Sequence, residues 1–348
     1  MYEIARRLAK KHEIHMLTRK FRGLPEYEVH EGVHIHRIFI PSGEVRLEST
    51  IDGLPFMFGS LFKGLRLDFD LCAPQQFFPI PPLWLIAKVK RRPIVATIHD
   101  VYEETWAQKY GLKGHAMSLF ERIMLRLPCE IITVSGSSKL KLLERGVPRD
   151  RIKIIPNGVD LKKFDEVKAE KPGRPRLIYV GRLVKYKHVD HLLLAFSRLN
   201  SDAELYIVGE GPERSRLEKM ATKLGIGRKV KFQGFVDEKR KIELLKSSHA
   251  LVLPSSTEGF GIVVLEAWAA GIPVLVSDIP ALTELVEDGK NGLIFRLGRI
   301  EELKKALERV LYGHEWKRMG KAGKRKVKEF DWDLIAKRHE ELFLHLAG

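Results

Sequence analysis

Two cysteines, Cys72 and Cys129, are all that this 348-residue chain contains. So few and so isolated, they exclude a disulfide framework and a structural zinc site of the usual cysteine kind, and both read as small buried residues. Long apolar runs are missing too. A membrane span needs roughly 18 continuous apolar residues. The most apolar stretch, Phe77 to Val89, is interrupted by Pro79, Pro81 and Pro82. The opening Met1 to Lys11 is basic and amphipathic and has no apolar leader core. These features point to a cytoplasmic protein, with peripheral contact at the inner membrane face as the alternative. Asn and Gln are scarce while Lys and Glu abound, a bias found in proteins from hot environments.

What the chain has is apolar material for two cores, with 44% hydrophobic and 30% charged residues. The net charge is +16. It is spread along the chain, with 25 Lys and Arg against 18 Asp and Glu up to Asp160 and 36 against 27 beyond it. Such a surplus suits phosphorylated ligands, anionic lipid or nucleic acid. No basic helix with clustered aromatics accompanies it, so nucleic acid is not the expected partner.

Short apolar runs alternate with amphipathic ones. Strands are predicted at Glu13–Thr18, His34–Ile40, Asp70–Ala73, Ile94–His99 and Ile131–Val134. In the second half they are predicted at Arg176–Val180, Glu204–Val208, Val230–Phe232, Ala250–Leu253, Val274–Val276 and Gly292–Phe295. Strands alternating with helices imply an α/β fold with parallel sheets. Residues 165–174 are charged, contain Pro and Gly, and lack periodicity, which suits a connector. The expected organisation is a first domain over 1–160, a linker over 161–174, a second domain over 175–330 and a last helix over 331–348.

Three turns in the second half merit chemical attention. The first strand there ends in Gly181, followed by Arg182, Lys185 and Lys187 ahead of a helix. Cations and free N–H groups at a helix start make an anion site, and an ordinary turn is the competing reading. Gly209-Glu210-Gly211-Pro212 has two glycines of a dinucleotide loop but Arg214 in place of the third, and reads as a plain turn. The third turn, Glu258-Gly259-Phe260-Gly261-Ile262, opens a helix that carries Glu266 about one turn in. Gly259 and Gly261 permit a tight loop, and the helix N-terminus favours negative charge nearby. A carboxylate at Glu266 is suited to accept both hydroxyls of a ribose.

Glu258 and Glu266 form a Glu-x7-Glu pattern that resembles retaining GT-B glycosyltransferases of glycosyltransferase family 4. Other segments match in the expected order. Thr97-Ile98-His99-Asp100 resembles that family's histidine segment, and Ile155-Pro156-Asn157-Gly158-Val159-Asp160 its first-domain closing signature. Gly181-Arg182-Leu183-Val184-Lys185-Tyr186-Lys187 resembles its phosphate segment. Thr133-Val134-Ser135-x-x-Ser138 and Glu284-Leu285-Val286-x-x-Gly289-x-Asn291-Gly292 agree as well. The resemblance implies two Rossmann-like, doubly wound domains facing a central cleft, and transfer of a hexosyl group from a GDP- or UDP-sugar with retention.

By the same resemblance Gly181, Arg182 and Lys187 would hold the donor diphosphate and Glu266 its ribose. Glu258 would hold hydroxyls of the donor sugar, and the N–H groups of Phe260, Gly261 and Ile262 would face the sugar or phosphate. His99 would bond the donor sugar near the reacting carbon. No metal and no cofactor beyond the donor is expected. The acceptor would be a glycan or a lipid-linked sugar. Thr50–Leu67 and Lys109–Leu127, apolar with interspersed cations, would suit an anionic membrane surface, core or cleft-lining helices being the alternative.

Two departures stand out. The family's usual Lys-Gly is here Lys187-His188. The chain also begins within what resembles the family's first helix, without the preceding strand and Gly-rich loop. A nucleotide-binding but catalytically impaired member is therefore an alternative, as are a GT-B epimerase or phosphorylase and a basic nucleic-acid-binding protein.

Overall fold

The computed structural model describes residues 1–39, 53–101, 112–313 and 315–348. Tertiary contacts divide the chain into two units, Met1–Pro156 with Trp332–Gly348, and Asn157–Asp331.

The first unit opens with α1 (Tyr2–Leu8), β1 (Ile14–Arg19), β2 (Tyr27–His30) and β3 (Val33–Ile38). β1 pairs with β3 in parallel, as the alternating pattern leads one to expect, whereas β2 pairs with β3 antiparallel. The sequence reading has no strand at Tyr27–His30. A two-residue turn closes this hairpin, with Glu31 at φ 48° and Gly32 at φ 79°. Positive φ at both central residues matches the twist of the flanking strands. Helices α2 (Gly53–Leu65) and α3 (Ile80–Lys90) follow. α3 occupies much of the proline-interrupted apolar stretch, with Pro at the start of the helix where its missing N–H is harmless. A second parallel sheet, β4 (Val95–Ile98), β5 (Glu130–Thr133) and β6 (Ile152–Ile154), is interleaved with α4 (Leu112–Arg126) and α5 (Gly136–Glu144).

The strand expected at Asp70–Ala73 does not form. That segment makes one isolated parallel bridge, Cys72 to Ile94, and a second follows it at Gln75 to Thr97. β6 was not expected. Only Ile152 of its three residues is buried, so no apolar run marks it. Both cysteines are free and buried. Of the segments considered for membrane contact, 50–52 and 109–111 lie outside the described residues. No described helix is long and apolar enough to cross a membrane.

The second unit begins with α6 (Leu161–Glu166), whose Phe164 is buried. The span read as a linker thus contributes an ordered helix to this unit. Then come β7 (Arg176–Val180), α7 (Val189–Ser197), β8 (Glu204–Val208), α8 (Arg214–Lys223), β9 (Val230–Gly234) and α9 (Glu238–Lys246). Next are β10 (Ala250–Leu253), α10 (Ile262–Ala269), β11 (Val274–Ser277), α11 (Pro280–Thr283) and β12 (Gly292–Phe295). Helices α12 (Ile300–Tyr312) and α13 (Glu315–Lys326) complete the unit. The last helix, α14 (Trp332–Ala347), packs on α1 of the first unit.

All six strands of the second unit are parallel, in the order β9-β8-β7-β10-β11-β12. β10 and β11 are buried at every residue, as central strands covered by helices on both faces must be. The chain winds outward from β7 to β9, then returns to β10 and winds the other way. The strand ends of β7 and β10 therefore flank the topological switch point, where open α/β sheets bind ligands.

Two glycines hold the backbone together beside that point. Gly209 lies at φ 131°, and a Cβ there would stand 2.0 Å from the Gly181 carbonyl oxygen. A Cβ on Gly211 would stand 2.3 Å from the Leu183 carbonyl oxygen. The close approach is fastened by N–H donation from Gly181 to Val208 O at 3.0 Å and from Leu183 to Glu210 O at 2.9 Å. The Gly-Glu-Gly turn is thus a backbone support for the loop after β7. Replacing Gly209 by Ala is expected to lower unfolding free energy by about 1–3 kcal/mol, readable in denaturant titration. Unchanged stability would show that the loop yields without strain.

Candidate active site

The loop after β7 runs from Gly181 into a 3-10 turn over Lys185–Lys187, and His188 then caps α7. Its path is fixed from inside the core. Tyr179, wholly buried in β7, donates its hydroxyl to the Arg182 carbonyl at 3.0 Å. Burial pushes that phenol far above its ordinary value, with the Glu258 charge adding to the effect. It therefore stays protonated and keeps its proton for this bond. Arg182 itself is exposed.

The loop after β10 is bound to this one. Ser256 gives its N–H to the Tyr186 carbonyl at 2.8 Å and its hydroxyl to the same oxygen at 3.2 Å. Between the two loops lies the main electrostatic contact. Lys187 Nζ stands 2.6 Å from Glu258 Oε1, and these side chains keep only 14% and 12% of their exposure. Ser255 adds a hydroxyl bond to the same carboxylate oxygen at 2.8 Å. The residue expected to hold phosphate and the one expected to hold sugar are therefore each other's partners. A charge-assisted bond so shielded from water is among the stronger side-chain contacts.

Helix α10 begins immediately beyond. Gly261 caps its N-terminus at φ 92°, and no side chain satisfies the cap. The first N–H groups of any helix lack intrahelical acceptors, so this end carries positive partial charge. Phe260 is buried with its ring 6.2 Å from that of Phe330, while Ile262 is exposed. The helix is anchored at its other end by Trp268, which is fully buried and donates its indole N–H to the Asn291 carbonyl at 3.0 Å.

Glu266 is likewise paired, through Oε1, with Lys241 Nζ of α9 at 2.6 Å. Its side chain keeps 15% of its exposure. Burial holds this carboxyl above the ordinary range, and Lys241 pulls the other way. Lys241 is a residue that the sequence reading missed. It sits in a helix with other basic residues at neighbouring positions, and nothing in the pattern separates it from a solvated lysine.

His99 belongs to the first unit, at the end of β4. Burial, reinforced by the N-terminal ammonium and His339, pushes its pKa down to about 4. The imidazole is neutral at neutral pH, suited to hydrogen bonding rather than to carrying charge. The adjacent Asp100 is taken up by Lys141 at 2.8 Å and by the Val101 N–H at 2.9 Å. The second unit thus gathers Gly181, Arg182, Lys187, Glu258, Phe260, Gly261, Ile262 and Glu266 around one end of its sheet. His99 belongs to the other unit.

A doubly wound parallel sheet with paired carboxylates and cations at its switch point fits a GT-B sugar transferase, and the comparisons give the class. Residues 1–163 match the family model described as Glycosyltransferase Family 4, and residues 160–326 the model described as Glycosyl transferases group 1. The chain is 31% identical to an MMP alpha-(1->4)-mannosyltransferase of Mycolicibacterium hassiacum, over 79% of this chain and 70% of that protein. It is 29% identical to an uncharacterized glycosyltransferase of Methanocaldococcus jannaschii, over 94% and 88%. In fold it is similar to sucrose-phosphate synthase from Thermosynechococcus elongatus, with a TM-score of 0.86 at 22% identity over 99% and 92% of the two chains. It is also similar to Anabaena HepE in complex with UDP-glucose, with a TM-score of 0.75 at 19% identity over 91% and 87%. The chain belongs to glycosyltransferase family 4 and is a glycosyltransferase.

The raised Glu266 pKa has a pH signature. A carboxyl whose folded value lies above its unfolded value contributes stability below the unfolded value. That contribution is lost as pH rises through the folded one. Relative to the parent, Glu266→Gln should therefore gain stability as pH climbs upward from the ordinary carboxylate range. Parallel stability profiles for the two proteins would contradict the burial assigned to this group.

Proposed function

We propose that the chain transfers a hexosyl group from a nucleoside-diphosphate sugar to an acceptor hydroxyl with retention of the anomeric configuration. The observation that carries this reading is the Lys187–Glu258 pair at 2.6 Å, at the switch point of the second unit's sheet. The donor diphosphate takes Lys187 from Glu258, and Arg182 and the N-terminus of α10 complete the positive surround. Glu258, released from its lysine, accepts hydroxyl protons of the donor sugar. Glu266 accepts from the ribose. His99, as a neutral imidazole, takes a hydrogen bond with the donor sugar.

The chemistry follows from where charge develops. The bond from the anomeric carbon to the diphosphate oxygen breaks, leaving an oxocarbenium-like sugar and an anion. Lys187, Arg182 and the helix end stabilise that anion, which is preorganised electrostatic catalysis. The acceptor oxygen forms its bond on the face the diphosphate leaves, and its proton passes to the departing phosphate oxygen. Neither carboxylate needs to act as a nucleophile. The positive charge required is supplied by side chains, so the donor reaction is proposed to run without a metal ion.

For the acceptor we favour a lipid-linked sugar at an anionic membrane surface. α2 and α3 pack together and leave Phe58, Phe62, Leu85 and Val89 exposed at 63%, 63%, 46% and 64%, with Arg66, just past the end of α2, and Lys88 of α3 exposed as well. Apolar side chains with neighbouring cations are what an anionic interface selects. Flotation with phosphatidylglycerol vesicles, but not with neutral ones, is the expected result. Replacing Phe58 and Phe62 together by Ser should abolish it. Equal behaviour of parent and variant would favour a soluble glycan acceptor.

The donor reading is tested by calorimetric titration of the chain with GDP, UDP and ADP in EDTA. One of them should bind one-to-one. Lys187→Ala should weaken that binding by about 1.5–3 kcal/mol. Binding of none by the folded protein, or equal binding by the variant, would overturn the assignment. Binding without turnover over a broad acceptor panel would leave a nucleotide-binding member that has lost its transferase activity.

A further inference from the structure

Beside the proposed donor loop lies a cluster that this reading does not use. His188 joins the 3-10 turn to α7 in the left-handed region, at φ 47° and ψ 42°. Glycine adopts that conformation freely. A side chain there costs about 1–2 kcal/mol. The conformation places the His188 ring against that of His191, one helical turn on. The rings are stacked with centroids 4.5 Å apart and planes 21° apart. Asp190 completes the group. One ligand atom from each of the three side chains lies within 4.8 Å of the other two.

We propose that His188, Asp190 and His191 bind a divalent transition-metal ion of the zinc class. The carboxylate is already held in place. Asp190 accepts the His191 backbone N–H at 3.1 Å through Oδ1 and the Arg216 guanidinium at 3.1 Å through Oδ2. Each oxygen keeps a lone pair, and outer-sphere bonds of this kind orient metal ligands. Arg216 is shared with Glu213. A cavity of about 360 Å³ opens beside the group, lined by Lys185, His188, Asp190, Glu213 and Arg216.

Two considerations decide the class of ion. Charge is the first. The positive end of α7 opposes a cation, but Asp190 and Glu213 offset Lys185 and Arg216, so no net cationic field remains beyond the helix end. Ligand type is the second. Two imidazoles and one carboxylate suit zinc, cobalt or nickel, whereas magnesium and calcium favour all-oxygen shells. Three protein ligands leave a fourth position for water, with room in the cavity for it. A bound ion would tie the turn carrying Lys187 to the first turn of α7. This inference does not depend on the donor reading, because its residues and its readout are separate.

The test is titration of the metal-stripped full chain with Co²⁺, followed by its visible absorption bands, and with Zn²⁺ by calorimetry. One equivalent should bind, and Zn²⁺ but not Mg²⁺ should raise the thermal midpoint. His188→Gly keeps the left-handed backbone without strain and removes a ligand. It should fold at least as well as the parent and lose about ten-fold or more in metal affinity. His191→Ala and Asp190→Asn should lose as much. Replacing His15 and His34, whose rings lie 4.9 Å apart and tilted to one another on the first unit, should leave the titration unchanged. Absence of stoichiometric uptake, or parent-like affinity in His188→Gly, would overturn the site. Parent-like affinity in Asp190→Asn would reduce it to an adventitious pair of imidazoles and overturn the three-ligand assignment.

Discussion

The ion pair between Lys187 and Glu258 is the contact around which the second unit's ligand end is organised. It links the loop after β7 to the loop after β10, the two strands where the sheet reverses its winding. Without a partner, either charge would be nearly buried and uncompensated, which costs several kcal/mol. With the partner, two loops that would otherwise be free to diverge are held in register. The surrounding bonds share this purpose. Ser255 steadies the carboxylate, Ser256 grips the Tyr186 carbonyl, and Tyr179 holds the Arg182 carbonyl from below. An anion that displaces Glu258 from Lys187 therefore meets a cation already in position.

The backbone beneath that pair is closely packed. The Gly209 and Gly211 positions show how little space separates the first two βα turns. A Gly-x-Gly turn after a strand suggests a phosphate cradle, and in this chain it supports the neighbouring loop instead. Glycine is required there because another backbone approaches, which is as valid a reason for the residue as a ligand. Distinguishing the two reasons needs the structure, since both leave the same letters in the sequence.

The second unit's sheet is legible in the sequence because its strands are buried on both faces and bounded by turns. Arg176–Val180, Glu204–Val208, Ala250–Leu253 and Gly292–Phe295 fall where the apolar runs lie. The first unit is harder to read. β2 is mostly exposed, and β6 is a three-residue strand with one buried position. Neither leaves an apolar run, and each exists because a neighbouring strand pairs with it. At the site, the motifs and the family resemblance singled out Lys187, Glu258 and Glu266, but not that the first two would meet. Nor did it announce Lys241, whose importance comes from the fold bringing α9 against α10. Long-range charge pairing has no local signature.

Both acidic residues of the Glu-x7-Glu pattern are thus neutralised by lysines from other elements, and this shapes how a polyanion is received. A cluster of unpaired cations would attract phosphate strongly but would also repel itself and hold inorganic phosphate. A self-paired site is nearly neutral before the ligand arrives. It gains nothing from a small anion unless that anion does better than Glu258 at Lys187. In the proposed reading a sugar nucleotide does so, because its hydroxyls satisfy Glu258 once its phosphates take Lys187. Under the proposed donor reading the pairing would act as a filter, in which only a ligand bearing both negative charge and well-placed hydroxyls recovers what it disrupts. Long-range attraction is left to the chain's overall +16 charge, which steers an anion towards the protein without deciding where it stays.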